Sequence, residues 1–476
     1  MENTRLAVVV IYLVIVLGIG VYASRLIKDS TDFLLAGRRL GLLMATATLA
    51  ATHFGGGFVM GSSADGHVFG ISGLYYAVGT GLGLIALGLV AAKRLRKLKL
   101  YTITDYLEMR YQSKLVRVLG ALLSVVAIVG IVAAQVGATE GALTILGIAP
   151  GTGAIIATLL FISYTAFAGM WGVTFTDAIQ IIIIMFALPV VAYLGVQHAG
   201  GWEAMRATIA AMDVAGGAET YFSLGGRGLG VAIAVILPVI MYDMIGQDFY
   251  QRLFSAKDEN TARNAAILSG LVLVAFGVFP AVAGMAARAI FGELEVARSA
   301  LPMLITQVLP VGIGAIVVAA IMAAVMSTAD SLLIAGTSHV TNDFYIKLIN
   351  PEIAKDTKKV LALSRIWTVI LGGLALAMAL IMPGIISVLI FSYTMYASGV
   401  FVPVVLGLLW KRGTKEGAIA GIIGGSLVGL ASTGQVGLIS IGNWPAIIIG
   451  GTASLILYVG VSLATKPVDF VLEELE

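Results

Sequence analysis

The chain has 476 residues, 59% of them hydrophobic and only 12% charged, with a mean hydropathy of +1.01. That leaves far too little polar surface to enclose a soluble globule, so the composition specifies a polytopic membrane protein. The net charge of +3 comes without a basic, aromatic-interleaved stretch, which argues against a nucleic-acid partner, and zero cysteines exclude disulfides, cysteine-metal sites and a thiol nucleophile.

Thirteen apolar segments follow in chain order: 5–25, 41–62, 70–92, 115–147, 151–169, 173–197, 228–250, 262–291, 310–340, 360–382, 384–409, 416–437 and 445–464. Segments of this length cross a bilayer as helices, and no long polar interval separates them, so one all-α membrane domain is expected over 1–476. The first span is expected to be retained. Val21-Tyr22-Ala23 would suit a signal-peptide cleavage site, but Glu2 offsets Arg5 and the basic residues follow the apolar stretch. With the N-terminus outside, the inner segments Arg25–Arg39, Lys93–Arg117, Arg252–Arg263, Lys347–Arg365, Lys411–Lys415 and Lys466 hold 4, 8, 3, 5, 3 and 1 basic residues, 24 of all 29. The positive-inside rule then predicts an N-terminus outside and a C-terminus in the cytoplasm, in the plasma (inner) membrane.

The second span contains Ala50-Ala51-Thr52-His53-Phe54-Gly55-Gly56-Gly57. Each glycine disfavours helix by about 0.8 to 1.0 kcal/mol relative to alanine, so the helix should unwind at mid-membrane. Carbonyls freed there must line a cavity or meet a ligand, because lipid offers no partner. Glycines at Gly79/Gly83 and Gly417/Gly421/Gly425 are spaced to let helices approach closely. Asp177 opens the sixth span after Trp171-Gly172-Val173-Thr174-Phe175-Thr176, as a helix-end charge or as an ion ligand.

Five spans after the first break, the seventh span is interrupted by Pro238 and by Tyr242-Asp243-Met244-Ile245-Gly246-Gln247-Asp248. Two broken helices at corresponding places in two halves point to the binding site of a transporter built on inverted repeats. The ninth span holds Ser327-Thr328-Ala329-Asp330-Ser331 inside an apolar run. A carboxylate there costs about 2.5 to 3.5 kcal/mol on insertion scales, so it should face a protein interior. In a helix, Ala324, Ser327 and Thr328 share one face, and Ser327, Asp330 and Ser331 repeat the spacing. Stacked oxygens of this kind suit a small hard cation; the alternative is that the hydroxyls bond back to the helix or to its neighbours. Asp177 and Asp330 together form a candidate second cation site.

Asp32 to Arg39, the Ala51–Gly57 break, Thr102 to Tyr111, Trp171 to Gln180, Gln251-Arg252 and Met326 to Ser331 resemble the sodium/solute symporter family across essentially the whole chain. The resemblance implies a LeuT-type fold. Spans two to six (41–197) would be inverted against seven to eleven (228–409), with one extra helix (5–25) before and two (416–464) after. It also implies sodium as the coupling ion, bound by the carbonyls of Ala51, Phe54 and Ala324 and the hydroxyls of Ser327 and Thr328. A second sodium or proton site would use Asp177, Asp330 and Ser331, with Ser327 shared. The implied solute lining is His53, Gly55, Gly56, Gly57, Phe58, Tyr76, Gln135, Tyr242 and Gln247, and the outer gate Phe391, Tyr393 and Tyr396.

Departures from the family narrow the solute. Proline carriers have an acid, and sugar carriers an amide, at the position aligned with His53, and the polar groups that sugar carriers place near Phe58 and Ala77 are missing. A monocarboxylate or amino-acid-like solute fits the mostly apolar lining, with His53 bonding a carboxylate, titrating, or resting neutral on a neighbour. The expected function is sodium-coupled import by alternating access, with membrane lipid as surroundings and no obligate protein partner. The rivals are proton coupling through His53, Asp177 or Asp330, and a transporter-like sensor that binds without translocating. Enzymatic chemistry is disfavoured because His53, His67, His198 and His339 lack metal-ligand spacing. The Thr102–Arg110 segment and the Arg252–Arg263 loop are expected to be inner-face scaffolding.

Overall fold

The computed structural model describes residues 2–214, 216–381, 385–434 and 436–467, and side chains for these except residues 2, 3, 150 and 385–391. Among the described residues there is no strand, only an isolated bridge between Leu40 and Ala256. Helix α1 (Glu2–Ser24) buries Val9, Tyr12 and Val16 on one side and exposes Val10, Ile11, Val14 and Ile15 on the other, as a lipid-facing helix should.

The second expected span is split. α2 (Leu42–His53) stops where Phe54 and the glycines follow, and a wide turn over Gly57–Gly61 leads into α3 (Ser62–Phe69). α4 (Tyr75–Leu87) is followed by α5 (Ile103–Tyr111), which starts in a capping box between Thr102 and Asp105. α6 (Lys114–Thr144) begins at the Ser113 cap, and α7 (Pro150–His198) holds two expected spans joined at Gly169, whose φ of 51° only glycine adopts readily.

The seventh span is broken as anticipated: α8 (Leu229–Asp243) and α9 (Gln247–Ser255) meet at 47°. There follow α10 (Glu259–Phe276), capped by Asp258, α11 (Val278–Phe291), α12 (Val311–Ser338), α13 (Thr357–Ile381), α14 (Ile385–Leu409), α15 (Lys415–Ala431) and α16 (Ala446–Ala464). The outer stretch 198–222 carries short helices at Trp202–Ala210 and Gly217–Tyr221.

Among the described residues nine helices are long and apolar enough to span a membrane, ten when the bent α8–α9 pair counts as one. The thirteen expected spans are not all separate by that measure. α7 runs through two of them, α2 is only 12 residues long, and α15 has 17.

α12 is the most enclosed span, packed among α7, α6, α1 and α2. The Gly417/Gly421/Gly425 ladder seats α15 on α16: a Cβ at Gly421 would lie 3.1 Å from the Tyr458 Cβ, and one at Gly417 2.8 Å from the Tyr458 carbonyl. Close backbone approach of this kind is what small residues provide where lipid supplies no hydrophobic drive.

Candidate functional site

The break after α2 lies against the middle of α12. The Ser327 hydroxyl contacts the carbonyls of Ala51 at 2.8 Å and Ala324 at 2.9 Å, and the Thr328 hydroxyl those of Thr52 at 2.7 Å and Ala324 at 3.2 Å. Two hydroxyl protons thus serve three carbonyls, leaving five oxygens with an excess of lone pairs, the donor set a small hard cation takes. Ala51, Ala324, Ser327 and Thr328 come together as expected. Neither hydroxyl reaches the Phe54 carbonyl; Thr52, which sequence reasoning passed over, takes part instead. Gly55 permits the approach, since a Cβ there would sit 2.5 Å from Thr328 Oγ1.

One turn toward the basic face lies a second polar cluster, organised differently from expectation. Arg252, anticipated as inner-face scaffolding, is fully buried on α9. Its Nε donates to the Thr48 hydroxyl at 2.9 Å, Nη1 donates to the Asp248 carbonyl at 2.9 Å, and Nη2 pairs with Asp177 at 3.4 Å and donates to the Ser331 hydroxyl. Asp177 also accepts from the Thr48 hydroxyl, and Ser331 donates to the Ser327 carbonyl. A guanidinium therefore stands between the Asp177 and Ser331 groups expected to hold a second cation. Asp330 is turned to α7, where it accepts from the Tyr164 hydroxyl. Asp177 Oδ1 and Asp330 Oδ1 are buried without a hydrogen-bond partner among the described residues.

Beside the break is a cavity of about 80 Å³ lined by Thr52, His53, Gly55, Gly57, Phe58, Tyr76, Gln135, Tyr242, Phe249 and Tyr393, with Asp248, Ile131, Thr328 and Leu332. Most of the expected solute residues meet here. Gly56 borders it through its N–H, which donates to Gln135 Oε1 at 3.2 Å. His53 lies stacked on Phe249, ring centroids 4.5 Å apart, with Nε2 3.0 Å from the buried Asp243. That partner was not foreseen, and it joins the two broken helices.

Gln247 is a correction. Its amide accepts from Ile103 N–H at 2.8 Å and donates to the Tyr101 carbonyl at 3.1 Å, so it fixes the start of α5 and does not line the cavity. Of the expected gate, Tyr393 lines the cavity and packs edge-on against Tyr242, while the Tyr396 hydroxyl donates to the Ile245 carbonyl at 2.8 Å. The Phe391 side chain lies outside the described residues.

His53, Gly57, Tyr76, Tyr242 and Tyr393 also border a vestibule of about 910 Å³ that reaches Asp65, Arg298 and Thr433 on the face opposite the basic loops. A cleft of about 800 Å³ on the basic face shares no lining residue with the central cavity. Between them Asp343 accepts from Thr102 at 2.8 Å and Thr104 at 2.6 Å and pairs with Arg117 at 2.7 Å, tying α5 and α6 to the end of α12. The central cavity therefore adjoins the vestibule, with the Asp343 network on its basic side. Among the described residues no cluster of three or more His, Cys, Asp or Glu suits a resident metal.

The sequence profile of the Sodium:solute symporter family matches residues 33–425. The chain is 30% identical over 433 residues to the sodium/pantothenate symporter of Escherichia coli (strain K12), covering 87% of this chain and 88% of that protein. It is 29% identical over 428 residues to the high-affinity proline transporter of Bacillus subtilis (strain 168), covering 86% and 87%. Its backbone resembles a sodium-coupled sialic acid symporter solved in a substrate-bound, outward-open state, with a TM-score of 0.85 at 20% identity over 98% of this chain and 99% of that one. This is the LeuT-type fold that the family resemblance implied.

Proposed function

The chain belongs to the sodium:solute symporter family, and on that premise we propose that it imports a small organic solute by alternating access, with the ion at the α2–α12 oxygen cluster and the solute in the adjoining cavity. As a family member it is a multi-pass membrane transporter, not an enzyme, and sodium is its coupling ion. The observation that carries the reading is the pair of hydroxyl contacts from Ser327 and Thr328 to the freed carbonyls of Ala51 and Thr52. Sodium in that cluster takes over the lone pairs and bonds α12 to the broken end of α2. This favours the arrangement in which the vestibule is open and the Asp343 network is closed. Solute then completes the cavity walls, and ion release toward the basic face reverses the bias.

The concentration of Lys and Arg on the face of the Asp343 network supports placing that face in the cytoplasm, with the N-terminus outside and the C-terminus inside. The halves 41–197 and 228–409, each with a broken first helix, are the proposed moving units. The N-terminal end of the helix that restarts at Gly57 suits a carboxylate, which supports an amino-acid-like or monocarboxylate solute. Because Arg252 supplies the positive charge beside Asp177 and Ser331, we assign one sodium per solute. One cation falling through ~100 mV, with a roughly tenfold gradient, supports about 500-fold accumulation.

Uptake by proteoliposomes under an inward sodium gradient, with a panel of small organic acids and amino acids, tests the reading. At least one solute accumulates with sodium and not with potassium, and Ser327→Ala or Thr328→Ala removes the stimulation. Equal uptake with potassium, or sodium stimulation surviving in both variants, overturns it.

A further inference from the structure

We propose that the solute brings a positive charge into the central cavity: an organic ammonium, received by a box of aromatic rings with Asp248 in its wall. This rests on the transporter reading above and names the chemistry that its solute cavity selects. Five rings line the cavity, those of Phe58, Tyr76, Tyr242, Phe249 and Tyr393. They stand nearly perpendicular in pairs: Tyr242 to Tyr393 at 89° with centroids 4.4 Å apart, Tyr242 to Phe249 at 86° and 5.9 Å, and Phe58 to Tyr76 at 73° and 6.4 Å. Rings set at such angles to one another face in different directions. A cation within about 6 Å of such faces is attracted by each ring quadrupole, most strongly when desolvated.

The charges around the box agree. No Lys or Arg lines this cavity. Among the described residues the Asp248 carboxylate forms no salt bridge; it accepts from the Tyr242 hydroxyl at 3.4 Å, and the Arg252 guanidinium acts on it at longer range. Arg252, the nearest guanidinium in sequence, holds the Asp248 main-chain carbonyl and turns its other nitrogens to Thr48, Asp177 and Ser331. His53 is engaged by Asp243 and by the Phe249 ring. The vestibule lining holds Asp65, Glu295 and the His53-paired Asp243 against Arg298, an acidic excess that favours cations.

Sodium does not explain the box, because a hard ion needs oxygen ligands and has them at Ser327 and Thr328. A solute whose only charge is a carboxylate would face Asp248 with no Lys or Arg in the lining. A zwitterion fits, its carboxylate toward Gly55–Gly57 and its ammonium among the rings.

The test measures melting of the purified full-length protein in sodium or potassium buffer, titrated with tetramethylammonium, with trimethylglycine and with tert-butylacetate, the carbon isostere of trimethylglycine. In sodium, both ammonium probes stabilise the protein, and tert-butylacetate binds about tenfold more weakly or worse than trimethylglycine. Asp248→Asn and Tyr242→Leu each weaken the ammonium probes by about tenfold while the shift caused by sodium alone remains, which certifies the fold. Tert-butylacetate binding as well as trimethylglycine overturns the proposal, as does ammonium binding unchanged in both variants. Sodium stabilisation with no response to either ammonium probe also overturns it and leaves the symport reading standing; absence of the sodium shift itself strikes that underlying reading instead.

Discussion

Replacing Thr328 by valine keeps its shape and removes one of five oxygens from the α2–α12 cluster. The hydroxyl contacts the Thr52 carbonyl at 2.7 Å and the Ala324 carbonyl at 3.2 Å, so the variant loses an ion ligand and leaves a buried carbonyl short of a partner. Contacts to charged groups are worth about 1.5 to 3 kcal/mol each. At 1.4 kcal/mol per decade, sodium affinity should fall by roughly 10- to 150-fold in Thr328→Val. Ser327→Ala removes the contact to Ala51 and should fall in the same range. Because both hydroxyls share the Ala324 carbonyl, the double variant should lose less than the product of the singles. Thr328→Ser retains the oxygen and should stay close to the parent. Sodium midpoints from melting in sodium–potassium mixtures at constant ionic strength measure these effects without knowledge of the solute. If Thr328→Val matched Thr328→Ser, the hydroxyl would not be an ion ligand and the oxygen cluster would be only a helix contact.

Gly55→Ala should weaken sodium through geometry alone: its Cβ would lie 2.5 Å from Thr328 Oγ1 and 3.1 Å from Thr328 Cβ, and overpacking of this kind costs about 1 to 3 kcal/mol. Gly61→Ala, where nothing lies within 4 Å, is the control; equal sodium midpoints in the two variants would refute the close-approach argument. Arg252→Gln should lower the melting temperature markedly, since removing one partner of a buried pair costs about 3 to 5 kcal/mol, and Asp177→Asn in the same chain should restore part of it. Strictly additive losses would mean that the two charges do not compensate one another.

Much of the site was legible because it depends on short-range pattern. Three adjacent glycines weaken a helix wherever it packs, and Ser327 and Thr328 stand one turn beyond Ala324 on any α-helix, so the break and its facing oxygens follow from the residues themselves. Gln247 and Asp248 illustrate the opposite case. The chain leaves helical geometry between Asp243 and Gln247, so the rotational phase of α9 is not inherited from α8. Nothing local says that Asp248 faces the cavity while Gln247 reaches the start of α5.

Arg252 misled for a related reason. It stands among the basic residues of an inner loop, yet the 47° bend carries it inward to Asp177, which lies 75 positions earlier in the chain. The His53–Asp243 pair likewise spans two helices that meet only after folding. Hydropathy and helix period therefore determined the membrane class, the succession of spans, the paired interruptions and the hydroxyl face of α12. Only the packed structure decided which charges neutralise one another and which rings line the central cavity, because those partnerships are set by the angles and phases at which broken helices are brought together.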